Sequence, residues 1–403
     1  MNSVKNAIAY NIRVRGRKLA TATIVPWNNI RTLCWTPHTP RLVLVIDDGF
    51  SRSFLHAHGL ADQAVTGYLL PPPDSAMYLP GEHDNFTRRP LRLTEQFPRL
   101  ADSWNKFCDS NPRLTSPREK FRSFCRERES EAGSSDRNGP LEGTCFYDTV
   151  DVQFRFYLWF LFKWYNGLID RAIRNDFNAN WPWNAGLKKL AIVFDLAVIS
   201  FNYDLVCERS LDRYSTGVNQ NMQALRMKWL FQPAVIKPHG SIALSIGQKG
   251  LDRMWGDNPW LGDAVLSASD LGVRFDPSLI RNPFAPDIVP PGHAGKHLWN
   301  FRSDATDAAH EAIRSADAVL VCGLSGDEPD TAEVDQLLSQ MQGRVPAYQI
   351  DLEDGRERPT TKALKRFSGE FQFFEARERG VERAISEIIC RHATRDNCSG
   401  VGS

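Results

Sequence analysis

The sequence has no pair of cysteines at CxxC spacing. Its eight cysteines (Cys34, Cys108, Cys125, Cys145, Cys207, Cys322, Cys390, Cys398) are scattered, with no Cys/His run at metal-ligand spacing. Zinc ribbons place their ligands in closely spaced pairs, so no zinc module is expected. There is no apolar run near the ~20 residues that cross a bilayer; the most apolar window, FYLWFLF at 156–162, lies between Arg155 and Lys163. There is no GxxxxGK[ST] phosphate loop, and hence no ATPase of that design. There is almost no net charge: 49 basic residues stand against 48 acidic ones. No overall field draws in nucleic acid or an anionic membrane, and neither is expected as a direct partner. Finally, residues 1–46 contain no acidic residue but seven basic ones (Lys5, Arg13, Arg15, Arg17, Lys18, Arg31, Arg41). These charges interrupt the apolar residues at the start, unlike the h-region of a secretory signal. A cytoplasmic location with reduced thiols is the expectation.

What the chain does have is 403 residues, 42% of them hydrophobic, enough for two or three units or for one large core with an insertion. Five short apolar runs recur: RLVLVI (41–46), LAVISF (196–201), PAVIKP (233–238), DAVLVCG (317–323) and VPAYQI (345–350). They are β-branched and turn-bounded, the pattern of strands buried on both faces. The helix-like segment TAEVDQLLSQM separates the last two. This alternation predicts an α/β fold, a Rossmann-like parallel sheet with flanking helices. A helix is expected from Phe50 to Ala64, and a long buried one from Asp151 to Phe177, where aromatic and aliphatic residues recur at helical spacing. The charged stretch RERESEAGSSDRNGPLEG (126–143) reads as a loop. The expected organisation is a basic extension at 1–40, a Rossmann-like domain formed by 41–84 and 185–385, an inserted, mostly helical module at 85–184, and a tail at 386–403.

Ligands of such sheets sit beyond the carboxyl ends of the strands, where small and polar residues gather here. They are Asp47-Asp48-Gly49-Phe50-Ser51, Asn202-Tyr203-Asp204, His239-Gly240-Ser241, Gly323-Leu324-Ser325-Gly326-Asp327 and Asp351. One edge so furnished suits a nucleotide. The residues alone leave other roles open. Asn202 could cap the helix beginning near Tyr203. His239 could be a hydrogen-bonded core histidine, and Asp204 a structural carboxylate. Asp47, Asp48 and Asp327 could hold Mg2+ for a phosphoesterase or nuclease.

The order and spacing of LVLVIDDGFSRSF (42–54), ISFNYDLVCERSL (199–211), IKPHGSIAL (236–244), IVPP (288–291) and AIRSADAVLVCGLSGDEPD (312–330) resemble the sirtuin-like family. The likeness is to its bacterial branch that hydrolyses NAD in antiphage defence. It covers the outer frame of residues 41–385 and not the 85–184 insertion. The resemblance implies that Asn202 orients the nicotinamide ribose and the attacking water, and that His239 stands beside the ribose hydroxyls. Around them, Asp48, Gly49, Phe50 and Ser51 would form the phosphate-facing turn, with Asp204 and Gly240 beside it. Gly323 and Ser325 would form a second nucleotide-contacting turn, and Asp351 would lie near the adenine-side ribose.

The resemblance further implies NAD as a substrate, nicotinamide and ADP-ribose as products, and no zinc. The expected protein is a latent defence effector, working as a homo-oligomer or beside a partner such as an ATPase or an Argonaute-like subunit. The chemistry suits these residue types: as the glycosidic bond breaks, positive charge grows on the ribose, and neutral amide and imidazole dipoles can hold sugar and water in place. The family's Gly-Ala-Gly is replaced by Asp47-Asp48-Gly49. A carboxylate ~4 Å from a phosphate oxygen repels it by about 1 kcal/mol in water and about 4 kcal/mol at an effective dielectric of 20. The alternative is thus a catalytically impaired nucleotide-binding or assembly module of the same fold.

Overall fold

The computed structural model describes residues 10–14, 17–22, 39–60, 70, 78–83, 90–134, 150–175, 181–212, 222–223, 226–227, 234–246, 271–273, 286–290, 302–324, 331–352, 356–377 and 379–393. The chain divides into two compact units, Met1–Pro40 and Arg41–Ser403. In the first, Tyr10–Val14 (β1) and Arg17–Ala22 (β2) form an antiparallel hairpin.

The second unit opens with Arg41–Ile46 (β3) and Asp48–Ala57 (α1). An antiparallel pair, Tyr78–His83 (β4) and Pro90–Arg92 (β5), leads into Leu93–Gln96 (α2), Pro98–Ser110 (α3), Pro117–Ser134 (α4) and Val150–Asn175 (α5). Pro182–Val193 (α6), Asp195–Ser200 (β6) and Val206–Asp212 (α7) follow. Next come Met222–Gln223 (β7), Arg226–Met227 (β8), Ala234–Ile236 (β9), Gly240–Ile246 (β10), Leu271–Val273 (β11) and Pro286–Ile288 (β12). The chain closes with Arg302–Arg314 (α8), Ala318–Cys322 (β13), Thr331–Ser339 (α9), Pro346–Asp351 (β14), Pro359–Phe367 (α10), Glu370–Glu375 (β15) and Gly380–Ala393 (α11).

Six strands pair in parallel in the order β15-β14-β13-β3-β6-β9, and β8 and β7 extend the sheet antiparallel beyond β9. Numbered along the chain, the parallel six read 6-5-4-1-2-3, the doubly wound order of the Rossmann fold, whose crevice opens where the winding reverses. Here that point lies between β3 and β13. All five apolar runs of the sequence are strands of this sheet; β15, β7 and β8 join them.

Burial explains why the runs are continuous. Leu42, Val43, Leu44, Val45 and Ile46 are all fully buried, so none of the five positions after Arg41 in β3 is free to be polar. Alternate residues serve opposite faces. Leu42, Leu44 and Ile46 join Leu196, Val198 and Leu320 in a core closed by Phe54 of α1, Leu187 of α6 and Ile385 of α11. Val43 and Val45 join Ile199, Val319 and Val321 against Ile313 of α8, Leu337 of α9 and Leu364 of α10. Each such side chain contributes about 1.5–3 kcal/mol by leaving water.

A third core holds Trp104 of α3, Phe124 of α4 and Phe154 and Trp159 of α5, and it continues into Tyr203, Leu205, Ile242 and Ile288. Helix α5 is therefore a wall of the strand-end region. Arg155 Nη1 donates to the Ile288 carbonyl at 2.5 Å, and Trp159 Nε1 donates to the Ile242 carbonyl at 3.3 Å. The stretch read as a loop from 126 is helical as far as Ser134. Buried Phe121, Phe124 and Cys125 anchor α4, and Arg126 and Glu127 after them are exposed. Residues 135–143 of that stretch lie outside the described residues.

Candidate functional site

Strands β6 and β9 are in register, Ile199 opposite Ile236. Asn202 and His239 each follow three residues later, Asn202 just past the end of β6 and His239 in the turn after β9. Local contacts tighten this pairing. The rings of Phe201 and Tyr203, on either side of Asn202, pack on the His239 imidazole with centroids 5.0 and 6.4 Å away. Ile242 N–H donates to the Tyr203 carbonyl at 3.1 Å, and Val289 N–H donates to the His239 carbonyl at 2.9 Å. The Tyr203 hydroxyl donates to the Val289 carbonyl. His239 sits in a turn closed by Gly240 N–H on the Lys237 carbonyl at 3.0 Å. Gly240 has φ +86, a conformation that a side chain at this position would oppose.

Behind Asn202 lies a buried polar chain. Its Nδ2 donates to Ser51 Oγ at 3.0 Å, and Ser51 also favours the ionised form of the nearby Asp204 carboxyl. With Nδ2 bonded to Ser51, Asn202 Oδ1 is not the atom that faces the serine. Asp204 also accepts from Val206 N–H at 3.0 Å and so caps α7, the role that the sequence left open for Asn202. Burial pushes the Asp204 carboxyl up to about 6, against the lowering effect of Lys237, Val206 N–H and Ser51. At neutral pH it is ionised. Lys237, itself buried, donates to the Asp204 carbonyl and to Glu208 Oε1, the latter at 2.7 Å.

The second nitrogen-bearing group of the site has a partner that nothing in the sequence singles out. His239 Nε2 lies 2.8 Å from Glu333 Oε2, with both side chains largely buried. Glu333 belongs to the first turn of α9, which the sequence showed only as a connecting helix, and it is 94 residues away from His239.

The β3 and β13 ends meet differently. Gly49 N–H donates to the Gly323 carbonyl at 3.3 Å. A Cβ on Gly49 would stand 2.6 Å from Gly323 Cα, and one on Gly323, whose φ is +66, would stand 2.5 Å from Gly49 Cα. These glycines serve a backbone-to-backbone approach. Phe50 N–H donates to the Asp47 carbonyl at 2.8 Å, while the Phe50 ring is fully buried against Trp181 and Trp183, 5.3 Å from each. Phe50 therefore offers a ligand no ring surface. Asp48 pairs with Arg52 at 2.6 Å, both half-exposed. Asp351, at the β14 end, accepts from Leu352 N–H at 2.8 Å and from Arg358 Nη1 at 3.3 Å. Ser325, Asp327 and Pro291 lie outside the described residues. Among the described residues, no group of three or more His, Cys, Asp or Glu is placed to hold a metal ion, and no helix is long and apolar enough to cross a membrane.

The strands thus define a Rossmann-like protein with a buried polar network at the ends of β6 and β9. No family model and no curated protein matches the chain. Solved structures similar to it are Sir2 homologues. A mutant Sir2 homologue in complex with ADP-ribose is 14% identical, with 94% of this chain and 100% of that chain covered and a TM-score of 0.34. A Sir2 enzyme from a study of mechanism and regulation is 13% identical, with 91% and 99% covered and a TM-score of 0.32. A Sir2 homologue in complex with NAD is 14% identical, with 91% and 93% covered and a TM-score of 0.29. Roles for individual residues rest on the distances within this chain.

Proposed function

We propose that this protein is an NAD glycohydrolase with Asn202 and His239 as its catalytic pair. The observation that supports this reading is the packing of the His239 imidazole on Phe201 and Tyr203, the residues on either side of Asn202, with the Asn202 amide nitrogen bonded to Ser51 Oγ. In the reaction, the bond between the ribose C1′ and the nicotinamide nitrogen breaks, and its electron pair neutralises the pyridinium. Water forms the new bond to C1′ and loses one proton, so NAD+ and water give nicotinamide, ADP-ribose and H+. Asn202 Oδ1 accepts a hydrogen bond from that water, and the His239 imidazole holds the ribose hydroxyls and accepts a proton at neutral pH. The phosphates lie toward the Asp47–Ser51 and Gly323 turns, and the adenine-side ribose toward Asp351. The biological setting proposed is a cytoplasmic, latent antiphage effector that depletes NAD once a homo-oligomer or partner protein assembles it.

Purified protein incubated with NAD is expected to release nicotinamide, and Asn202→Ala and His239→Ala each to lose about 100-fold or more of that rate. Absence of turnover in every oligomeric or partner-bound state would sink the reading. A second reading, nucleotide binding or assembly without cleavage, draws on Asp47-Asp48 standing where the resembled family has Gly-Ala. Calorimetry with NAD and ADP-ribose separates the two: binding without nicotinamide release favours the second.

A further inference from the structure

We propose that Glu333 is a positioning residue for His239, accepting the Nε2 proton and thereby holding the imidazole lone pair on Nδ1. This deepens the glycohydrolase reading and rests on it for its catalytic consequence. The contact is 2.8 Å, between side chains 10% and 15% exposed, short enough for a charge-assisted hydrogen bond. A neutral imidazole has one N–H and one lone pair. A carboxylate that takes the N–H fixes which nitrogen keeps the lone pair, and it stabilises the imidazolium once a proton arrives.

The ring is also fixed from the sides, by Phe201 and Tyr203, so its plane and its tautomer are set by different elements of the fold. The other titratable groups around this corner are otherwise engaged. Tyr203 donates to Val289 O, and Lys237 is bonded to Glu208 and to the Asp204 carbonyl. His310 of α8 feels Glu333 along with Asp307, but burial and Arg314 disfavour its protonation. Because α9 follows the β13 turn, the contact also ties the His239 end of the cleft to the Gly323 end.

The test uses the full-length protein with 15N-labelled histidine, the His239 signals being assigned with His239→Asn. The expected wild-type ring is the Nε2–H tautomer. In Glu333→Ala the tautomers mix, and in the near-isosteric Glu333→Gln the protonation midpoint moves to lower pH because a neighbouring negative charge is gone. For NAD cleavage, kcat falls about 10-fold in Glu333→Gln and about 100-fold in Glu333→Ala, with KM changed less than about threefold. A wild-type Nδ1–H tautomer, or a ring spectrum and kcat unchanged in both variants, overturns the proposal. The expected tautomer changes in a protein that never cleaves NAD leave Glu333 as the holder of His239 and remove the glycohydrolase reading instead.

Discussion

At the ends of β6 and β9, the side chains of Asn202, Asp204, Lys237 and His239 are buried and each is bonded to a neighbour. At the ends of β3 and β13, two glycine backbones press on one another, and the nearby charges, Asp48 and Arg52, are half in solvent. The β6–β9 half, which the proposed reading puts at the sugar, is thus a polar network in low dielectric, where a lost partner is costly. The β3–β13 half, which that reading puts at the phosphates, is close-packed backbone with a half-exposed ion pair, where charge changes are cheap and steric ones are not. Catalysis and nucleotide affinity should therefore respond to different substitutions.

The largest effect belongs to the buried network. Lys237→Met leaves Glu208 as an unpaired carboxylate in the core, and breaking such a pair costs about 3–5 kcal/mol. Glu208 Oε2 already has no hydrogen-bond partner, so nothing else compensates the charge. Urea unfolding should show the loss, and Lys237→Met with Glu208→Leu should recover much of it. A single-variant loss under about 1 kcal/mol would mean that the network is not the stabilised half.

Next is Gly323→Ala, which tests the steric half. The left-handed φ of +66 opposes an L side chain by about 1–2 kcal/mol, and forcing apart the two backbones adds about 1–3 kcal/mol. The same unfolding assay should register roughly 2–5 kcal/mol. A near-neutral result would show that the turn relaxes freely, removing the contrast in rigidity.

Asp204 adds a pH signature to the network side. Its folded-state value of about 6 stands above its usual 3.8. The native state therefore holds this proton more tightly than the unfolded chain, and the stability it contributes is present below pH ~4 and lost as pH rises toward ~6. The stability of the wild type relative to Asp204→Asn should fall across that window. A difference that is flat or rising with pH contradicts the burial of this carboxylate.

The strands of the fold were legible because burial on both faces leaves no room for polar residues, as in Leu42 to Ile46. Asn202 and His239 were legible because they stand directly after such runs. Glu333 was not: an acidic residue in a helix first turn is ordinary, and its partner is named only by the sheet's winding. The Gly49–Gly323 approach was hidden for the same reason, since 274 positions separate two residues that a crossover brings together. The Asp48–Arg52 pair follows the i,i+4 rule and could be read from spacing; the Asn202–Ser51 bond could not, because it joins residues 151 positions apart.

The smallest effect is the most informative about affinity. Asp48→Asn removes the carboxylate that holds Arg52 at 2.6 Å. An exposed pair of this kind contributes only about 0–1 kcal/mol to stability, so the unfolding midpoint should barely move. Binding should move more. One negative charge leaves the phosphate side, and the Arg52 guanidinium becomes available to a pyrophosphate. With the turn half in water, the relief is about 1 kcal/mol, or roughly fivefold tighter NAD binding by calorimetry. A gain nearer ~4 kcal/mol would indicate a phosphate site shielded from water, and would favour binding impairment as the reason for Asp47-Asp48. Unchanged or weaker binding would mean that the phosphates do not approach this turn, and the division of the edge into a sugar side and a phosphate side would fall with it.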